Sequence, residues 1–424
     1  MAMGERIRAR YLIETAFPLE AAAAAMAGEQ STGTFVRVPG ETDELRERHA
    51  ARVERIEELG TVGAPSLPGA RVPKGAREPV YRRAEVVMSW PLATFGPSLP
   101  NLVATVAGNL FELAQFSGLR LLDIELPGAF AEAYPGPQFG VAGTRRLAGV
   151  EGRPLIGTII KPSVGLGPAE TAALVRTLCG AGLDFIKDDE LQANGPYCPL
   201  AARVEAVMAV INDHAERTGR KVMYAFNITD ELDAMLRHHD AVLAAGGTCV
   251  MVSLNSVGLV GFVELRRRCA LPIHAHRNGW GALTRSPALG FGYVAWQKLW
   301  RVAGADHMHV NGLRNKFCED DESVVASARA CLTPMFRPPA PGFEVMPVFS
   351  SGQTVRQAPG TYRALGSADL IFAAGGGIMA HPDGPAAGVA ALREAWAAAM
   401  AGTALEVAAR GHGGLRRALE AFAA

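Results

Sequence analysis

From residue 150 onward the chain alternates short β-branched runs with longer stretches rich in Ala, Leu and Arg, and it does so eight times. The runs are LIGTII, LDFIK, VMYAF, CVMVSL, PIHAH, HMHV, VMPVFS and LIFAAG. The stretches between them have helical spacing, from AETAALVRTLCGAG and PLAARVEAVMAVINDHAERTG through GYVAWQKLWRVAG to PAAGVAALREAWAAAMAG. Strands joined through helices pair in parallel, because each crossover returns the chain to the same end of the sheet. Eight such units in roughly 250 residues predict a TIM (β/α)8 barrel. A doubly wound open sheet is the alternative, but no GxGxxG follows the first strand. The seventh crossover, TVRQAPGTYRALG, is the weakest helix pattern because it contains Pro and Gly.

The preceding part mixes element types. RIRARYLIETAF, GTFVRV, YRRAEVVMSW and RLLDIELP read as strands, PLEAAAAAMAGE and SLPNLVATVAGNLF as helices, and VGAPSLPGARVPKGAREP as a surface loop. The expectation is an α+β, ferredoxin-like domain over residues 1–140 and the barrel with C-terminal helices over 141–424.

Composition narrows the function classes. With 42 basic and 42 acidic residues the formal charge is zero, so no strong field recruits nucleic acid or an anionic membrane. Six cysteines without a CxxC pair argue against a zinc site or a disulfide framework. No apolar signal core and no membrane-length apolar run is present. A cytoplasmic protein is expected.

In a TIM barrel, chemistry collects at the C-terminal ends of the strands. Those ends carry Lys161, then Lys187, Asp188, Asp189 and Glu190, then Asn227, then Ser253 and Asn255. The later ends carry His274, His276 and Arg277, then His307 and His309, then Ser350, Ser351 and Gly352, then Gly375, Gly376 and Gly377. Each HxH pair puts two imidazoles on one strand face, which is more often a hydrogen-bonded core feature than a metal site. The three glycines are either a turn or, at the eighth strand, a backbone cradle for phosphate. Asp189 and Glu190 suit Mg²⁺, which prefers hard oxygen ligands. Lys187 beside them would repel a cation, so it either pairs with an acid or becomes a carbamate.

GTIIKPSVGLG followed by GLDFIKDDE resembles motifs of the RuBisCO large subunit, and the resemblance runs through nearly the whole chain. It implies an N-terminal α+β domain, a TIM barrel, and an active site completed by a second subunit. Carried over residue by residue, it makes Lys187 the carbamylated lysine, with Asp189 and Glu190 as the other Mg²⁺ ligands. Lys161 corresponds to an acid/base lysine, His276 to a catalytic histidine and Lys316 to the loop lysine that holds a carboxylate. Arg277, His309, Ser350 and Gly352 correspond to substrate- or phosphate-binding positions, and Gly375, Gly376 and Gly377 to the phosphate cradle. From a neighbouring subunit the resemblance implies Glu29 and Thr34, in GEQSTGTF, and Asn109, in GNLF. A homodimer or dimer-based oligomer follows.

The departures bear on the reaction. Ser163 stands where the family has a second lysine, Phe35 replaces a tryptophan, the mobile loop reads RNKFCE, and SSG replaces SGG. These place the chain among the RuBisCO-like proteins rather than the carbon-fixing enzymes. The lysine of that loop, Lys316, has little use in simple enolisation but a clear one when a carboxylate leaves or migrates. The expected substrate is therefore a phosphorylated branched β-keto sugar acid. RuBisCO-like relatives of apionate catabolism act on 3-oxo-isoapionate 4-phosphate, either decarboxylating it or shifting the carboxylate and hydrolysing to 3-phosphoglycerate and glycolate. The alternatives are an enolase or isomerase of methylthio-sugar salvage, carboxylation itself, and a non-catalytic scaffold.

Overall fold

The structure is a computed structural model that describes residues 5–33 and 38–423. Thr34, Phe35 and most of the expected strand GTFVRV lie outside the described residues. The chain divides into two compact units, one of residues 1–135, 279–302 and 334–342, the other of residues 136–278, 303–333 and 343–424.

In the first unit a five-stranded sheet has the order 289–291, 116–125, 6–15, 81–91 and 52–62. The strand Arg6–Thr15 alternates charged and apolar residues, which places Ile7, Ala9, Tyr11 and Ile13 in the core. The helix Leu19–Glu29 buries Leu19, Ala22, Ala23, Met26 and Ala27 at helical spacing. The strand Arg52–Val62 was not anticipated. RVERIEELGTV lacks an apolar face because it is an edge strand, exposed along most of its length, and its charges guard that edge.

In the second unit the eight expected runs form a closed parallel barrel among the described residues, which excludes the open-sheet alternative. In chain order its strands are Leu155–Ile159, Phe185–Lys187, Met223–Asn227, Cys249–Ser253, Ile273–His276, His307–His309, Met346–Phe349 and Ile371–Ala373. Side chains such as Leu155, Phe185, Met223, Met251, Val348 and Ile371 fill the core. The seventh crossover holds a short 3-10 turn, Val355–Gln357, and a helix, Ala358–Leu365; its proline stands at the helix start, where no N–H is required. The fifth connection forms its helix, Tyr293–Ala303, but residues 279–302 cluster with the first unit and give its sheet the short strand Leu289–Phe291.

Buried acids staple the barrel below the site. Asp184 accepts from Arg153 at 2.6 and 2.9 Å and from the Ile156 amide at 2.9 Å. Asp306 accepts from Arg266 at 3.0 Å and from the amides of Phe139, Gly140 and Ile273 at 2.6, 3.0 and 2.9 Å. With these donors satisfied the two carboxylates tie strand starts to neighbouring segments. Asp306→Ala strands a buried guanidinium and three amides, and is expected to cost about 3–5 kcal/mol. A lower urea midpoint, followed by circular dichroism, is the readout; an unchanged midpoint contradicts this account.

Candidate active site

The end of the second barrel strand sends consecutive side chains in different directions. Lys187 is 1% exposed, and its Nζ donates to the Asp188 carbonyl at 2.8 Å and lies 3.5 Å from Glu190 Oε2. Burial lowers its pKa, against the opposing pull of Glu190 and Asp189. Asp188 turns inward. One of its oxygens accepts from Arg203 at 3.1 and 3.2 Å and from the Asn227 amide at 2.9 Å, and the other accepts from the Tyr224 hydroxyl. Asp189 accepts from Lys161 Nζ at 2.6 Å, and Lys161 also donates to Ser163 Oγ at 2.8 Å. Asn227 Nδ2 donates to the carbonyls of Asp189 and Glu190, both at 3.2 Å, and so holds this turn from the third strand.

Glu190 connects the second strand to the fifth. Its Oε2 is 3.5 Å from His276 Nε2. Burial pushes its pKa up, but Lys187, His276 and Lys161 outweigh that and hold it down at about 2. His276 is pulled down to about 4, first by burial and then by Lys187. His276 Nδ1 lies 3.2 Å from both the amide nitrogen and the Oδ1 of Asn278, and its Nε2 faces Glu190.

The HxH residues form a chain through the interior. Thr144 donates its hydroxyl to the Gly140 carbonyl, so its oxygen accepts from His307 Nε2 at 2.9 Å. His307 Nδ1 then accepts from His274 Nδ1 at 3.3 Å, and His274 Nε2 accepts from His309 Nε2 at 2.7 Å. The chain ends with Ser350 Oγ donating to His309 Nδ1 at 3.1 Å. Burial lowers all three histidine pKa values, that of His307 to about 3. Neutral rings are what such a chain requires, since each ring needs one acceptor nitrogen.

The sixth- and seventh-strand ends carry the loop lysine. The Lys316 amide donates to the Ser351 carbonyl at 3.3 Å, and its Nζ lies 5.3 Å from the centre of the Phe317 ring. Gly352, at φ +86°, lies against Lys316, where a side chain would meet both strain and contact. Arg277 donates to Glu319 Oε2 at 2.6 Å. Gly375, Gly376 and Gly377 open a short helix at the eighth-strand end, and a Cβ on Gly377 would come 2.5 Å from the Gln353 carbonyl. In the first unit, Asn109 Nδ2 donates to Glu29 Oε1 at 3.4 Å.

The structure thus joins Lys161, Lys187, Asp189, Glu190 and His276 into one cluster and links His309 to Ser350. Reading the sequence missed Arg203, Tyr224, Thr144 and Glu319. Arg203 left a signal, because it stands on the apolar face of Leu200–Thr218 alongside Leu200, Val204 and Val207. Glu319 left none beyond its place in an altered loop. Among the described residues no group of three or more His, Cys, Asp or Glu is placed to hold a metal. Asp189 and Glu190 supply two carboxylates, and a third anionic oxygen here would have to come from Lys187.

Nitrogen-15 NMR of the histidines tests the interior chain. The protons are expected on Nε2 of His307, Nδ1 of His274 and Nε2 of His309, with no titration of these rings between about pH 5 and 8. An unfolded histidine takes up a proton below about pH 6.5 while these do not, so stability should fall with pH by up to about 1.4 kcal/mol per unit per ring. A ring that titrates near its ordinary value breaks the assignment.

Comparison with known proteins agrees with this geometry over the full chain. Residues 140–422 match the family model of the ribulose bisphosphate carboxylase large chain, catalytic domain, and residues 6–130 match that of its N-terminal domain. The chain is 60% identical over 417 residues to a 3-oxo-isoapionate-4-phosphate transcarboxylase/hydrolase of Xanthobacter autotrophicus, covering 98% of this chain and 99% of that one. It is 48% identical to a 3-oxo-isoapionate-4-phosphate decarboxylase of Rhizobium etli, covering 97% of each. The crystal structure of a rubisco-like protein from Burkholderia fungorum superposes with a TM-score of 0.91 at 51% identity, covering 99% of this chain and 100% of that one. With both family domains matched in order and a barrel rim that gathers the motif residues, the chain belongs to the RuBisCO large-chain family.

Proposed function

We propose that this chain is an enolate-forming enzyme of 3-oxo-isoapionate 4-phosphate that shifts the substrate's carboxylate and then hydrolyses the product. The observation that carries this reading is the full-length identity of 60% to the transcarboxylase/hydrolase, against 48% to the decarboxylase. Plain decarboxylation of the same compound is the second reading, supported by the latter relative.

The donor set fits Mg²⁺ provided that Lys187 carries a CO₂-derived carbamate. Burial that lowers the pKa of this amine eases the loss of the proton that carbamylation by CO₂ requires, and the carbamate would join Asp189 and Glu190 as a third anionic ligand. Mg²⁺ held there would supply stabilisation to negative charge developing on substrate oxygens. Lys161, poised between Asp189 and Ser163, holds or moves the proton, and His276 presents its Nε2 to the Glu190 side. Lys316 grips the migrating carboxylate. The phosphate lies at the amides of Gly375, Gly376 and Gly377, with Ser350, His309 and Gly352 around the substrate. A second copy supplies Glu29, Thr34 and Asn109, which makes the enzyme a homodimer or a dimer-based oligomer. The cytoplasm is the compartment proposed, consistent with six free thiols, five of them buried. Among the described residues no helix is long and apolar enough to cross a membrane.

Purified protein given Mg²⁺, bicarbonate and 3-oxo-isoapionate 4-phosphate should release glycolate and 3-phosphoglycerate together. Stoichiometric CO₂ instead selects decarboxylation, and the appearance of neither product sinks both readings. Lys316→Ala should lower kcat/KM by about 10²–10³, the scale of losing a donor aimed at transition-state charge. Glu29→Ala and Lys161→Ala should each be inactive alone, while mixed dimers should recover up to about a quarter of the activity, because random pairing leaves one intact site per heterodimer. No recovery after subunit exchange counts against a shared site.

A further inference from the structure

We propose that Glu319 sets the charge specificity of the site, by neutralising Arg277 so that this part of the rim receives an uncharged end of the substrate and not a second phosphate. This rests on the reading of the substrate as a monophosphate. Arg277 follows His276 directly, and its buried guanidinium donates Nη2 to Glu319 Oε2 at 2.6 Å. An arginine fork at such a position suits a phosphate, which it can bind through two parallel hydrogen bonds. Here a carboxylate from the chain already occupies one arm of the fork, at Nη2.

The carboxylate is held in place. The same Oε2 accepts from Asn311 Nδ2 at 2.6 Å, and Oε1 accepts from Ser323 Oγ at 2.9 Å. Asn311 is itself fixed, since its Oδ1 accepts from Ser351 Oγ at 3.0 Å. Asn315 Nδ2 donates to the Glu319 carbonyl at 3.0 Å, which anchors the backbone as well. The side chains of Arg277 and Glu319 are only 7% and 14% exposed, so water screens their interaction little. An incoming phosphate dianion would have to displace a fixed anion or sit beside it, and both are unfavourable. A monophosphorylated keto acid has no such requirement: its phosphate goes to the glycine cradle and its carboxylate to Lys316. Glu319 lies three residues beyond Lys316 in the same loop, so one segment carries both the grip on the carboxylate and the rejection of a second phosphate.

Titration calorimetry with a pentitol 1-phosphate and the matching pentitol 1,5-bisphosphate tests this without turnover. The wild-type chain should bind the monophosphate at least as tightly as the bisphosphate. Glu319→Gln keeps the shape and an acceptor but removes the charge, and should shift the preference toward the bisphosphate by about tenfold or more, the scale of a charge-assisted contact. Glu319→Asp, which keeps the charge, should stay nearer the wild-type ratio. The proposal is overturned by a wild-type preference for the bisphosphate, or by a folded Glu319→Gln with an unmoved ratio. If Glu319→Gln does not fold, the wild-type preference still decides. A shifted ratio without turnover of 3-oxo-isoapionate 4-phosphate would sink the substrate assignment and leave the role of Glu319 standing.

Discussion

Asp188 is bound by donors from the helix that follows its strand and from the neighbouring strand, and the layout of the rim depends on those bonds. A carboxylate and a guanidinium that are both fully buried are costly to remove from water. Here the cost is offset, because the acid receives Arg203, the Tyr224 hydroxyl and the Asn227 amide together. The bonds leave the chain no freedom to rotate after Phe185–Lys187. Lys187 then stays in the interior, Asp189 is buried against Lys161, and Glu190 is partly exposed. Two carboxylates and one amine are thereby collected in one place.

The same principle governs the histidines. Three buried imidazoles would repel one another if charged, so burial keeps them neutral and the hydrogen-bond chain from Gly140 to Ser350 orders their protons. The chain turns what could have been a set of unsatisfied polar atoms into a support for His309 and Ser350. Above it, the Glu319 cluster ties the loop of Lys316 to the fifth and sixth strand ends. The rim is thus a layer of adjustable charges resting on a neutral, directionally bonded interior.

Much of this was legible beforehand. The eight runs became the eight barrel strands, because a strand buried on both faces must be a short unbroken apolar run. Lys161, Lys187, Asp189, Glu190 and His276 meet in the structure because barrel geometry brings strand ends together whatever lies between them. Other features were hidden. Arg52–Val62 has no apolar alternation, since an edge strand with little burial needs none. Residues 279–302 had the spacing of an ordinary crossover, and nothing local says that Leu289–Phe291 pairs with the strand Phe116–Glu125.

The sequence alone determined the barrel, the identity of the rim residues and the two carboxylates with their lysine, because periodicity and residue type are local properties. Only the tertiary structure decided which partners each acid meets. Asp188, Asp189 and Glu190 are chemically near-equivalent in the sequence. They differ because Arg203 lies beneath one, Lys161 beside the second, and Lys187 and His276 against the third. The assignment of Glu319 to Arg277 has the same origin: the two are 42 residues apart and meet only because the fifth and sixth strands are neighbours in the barrel.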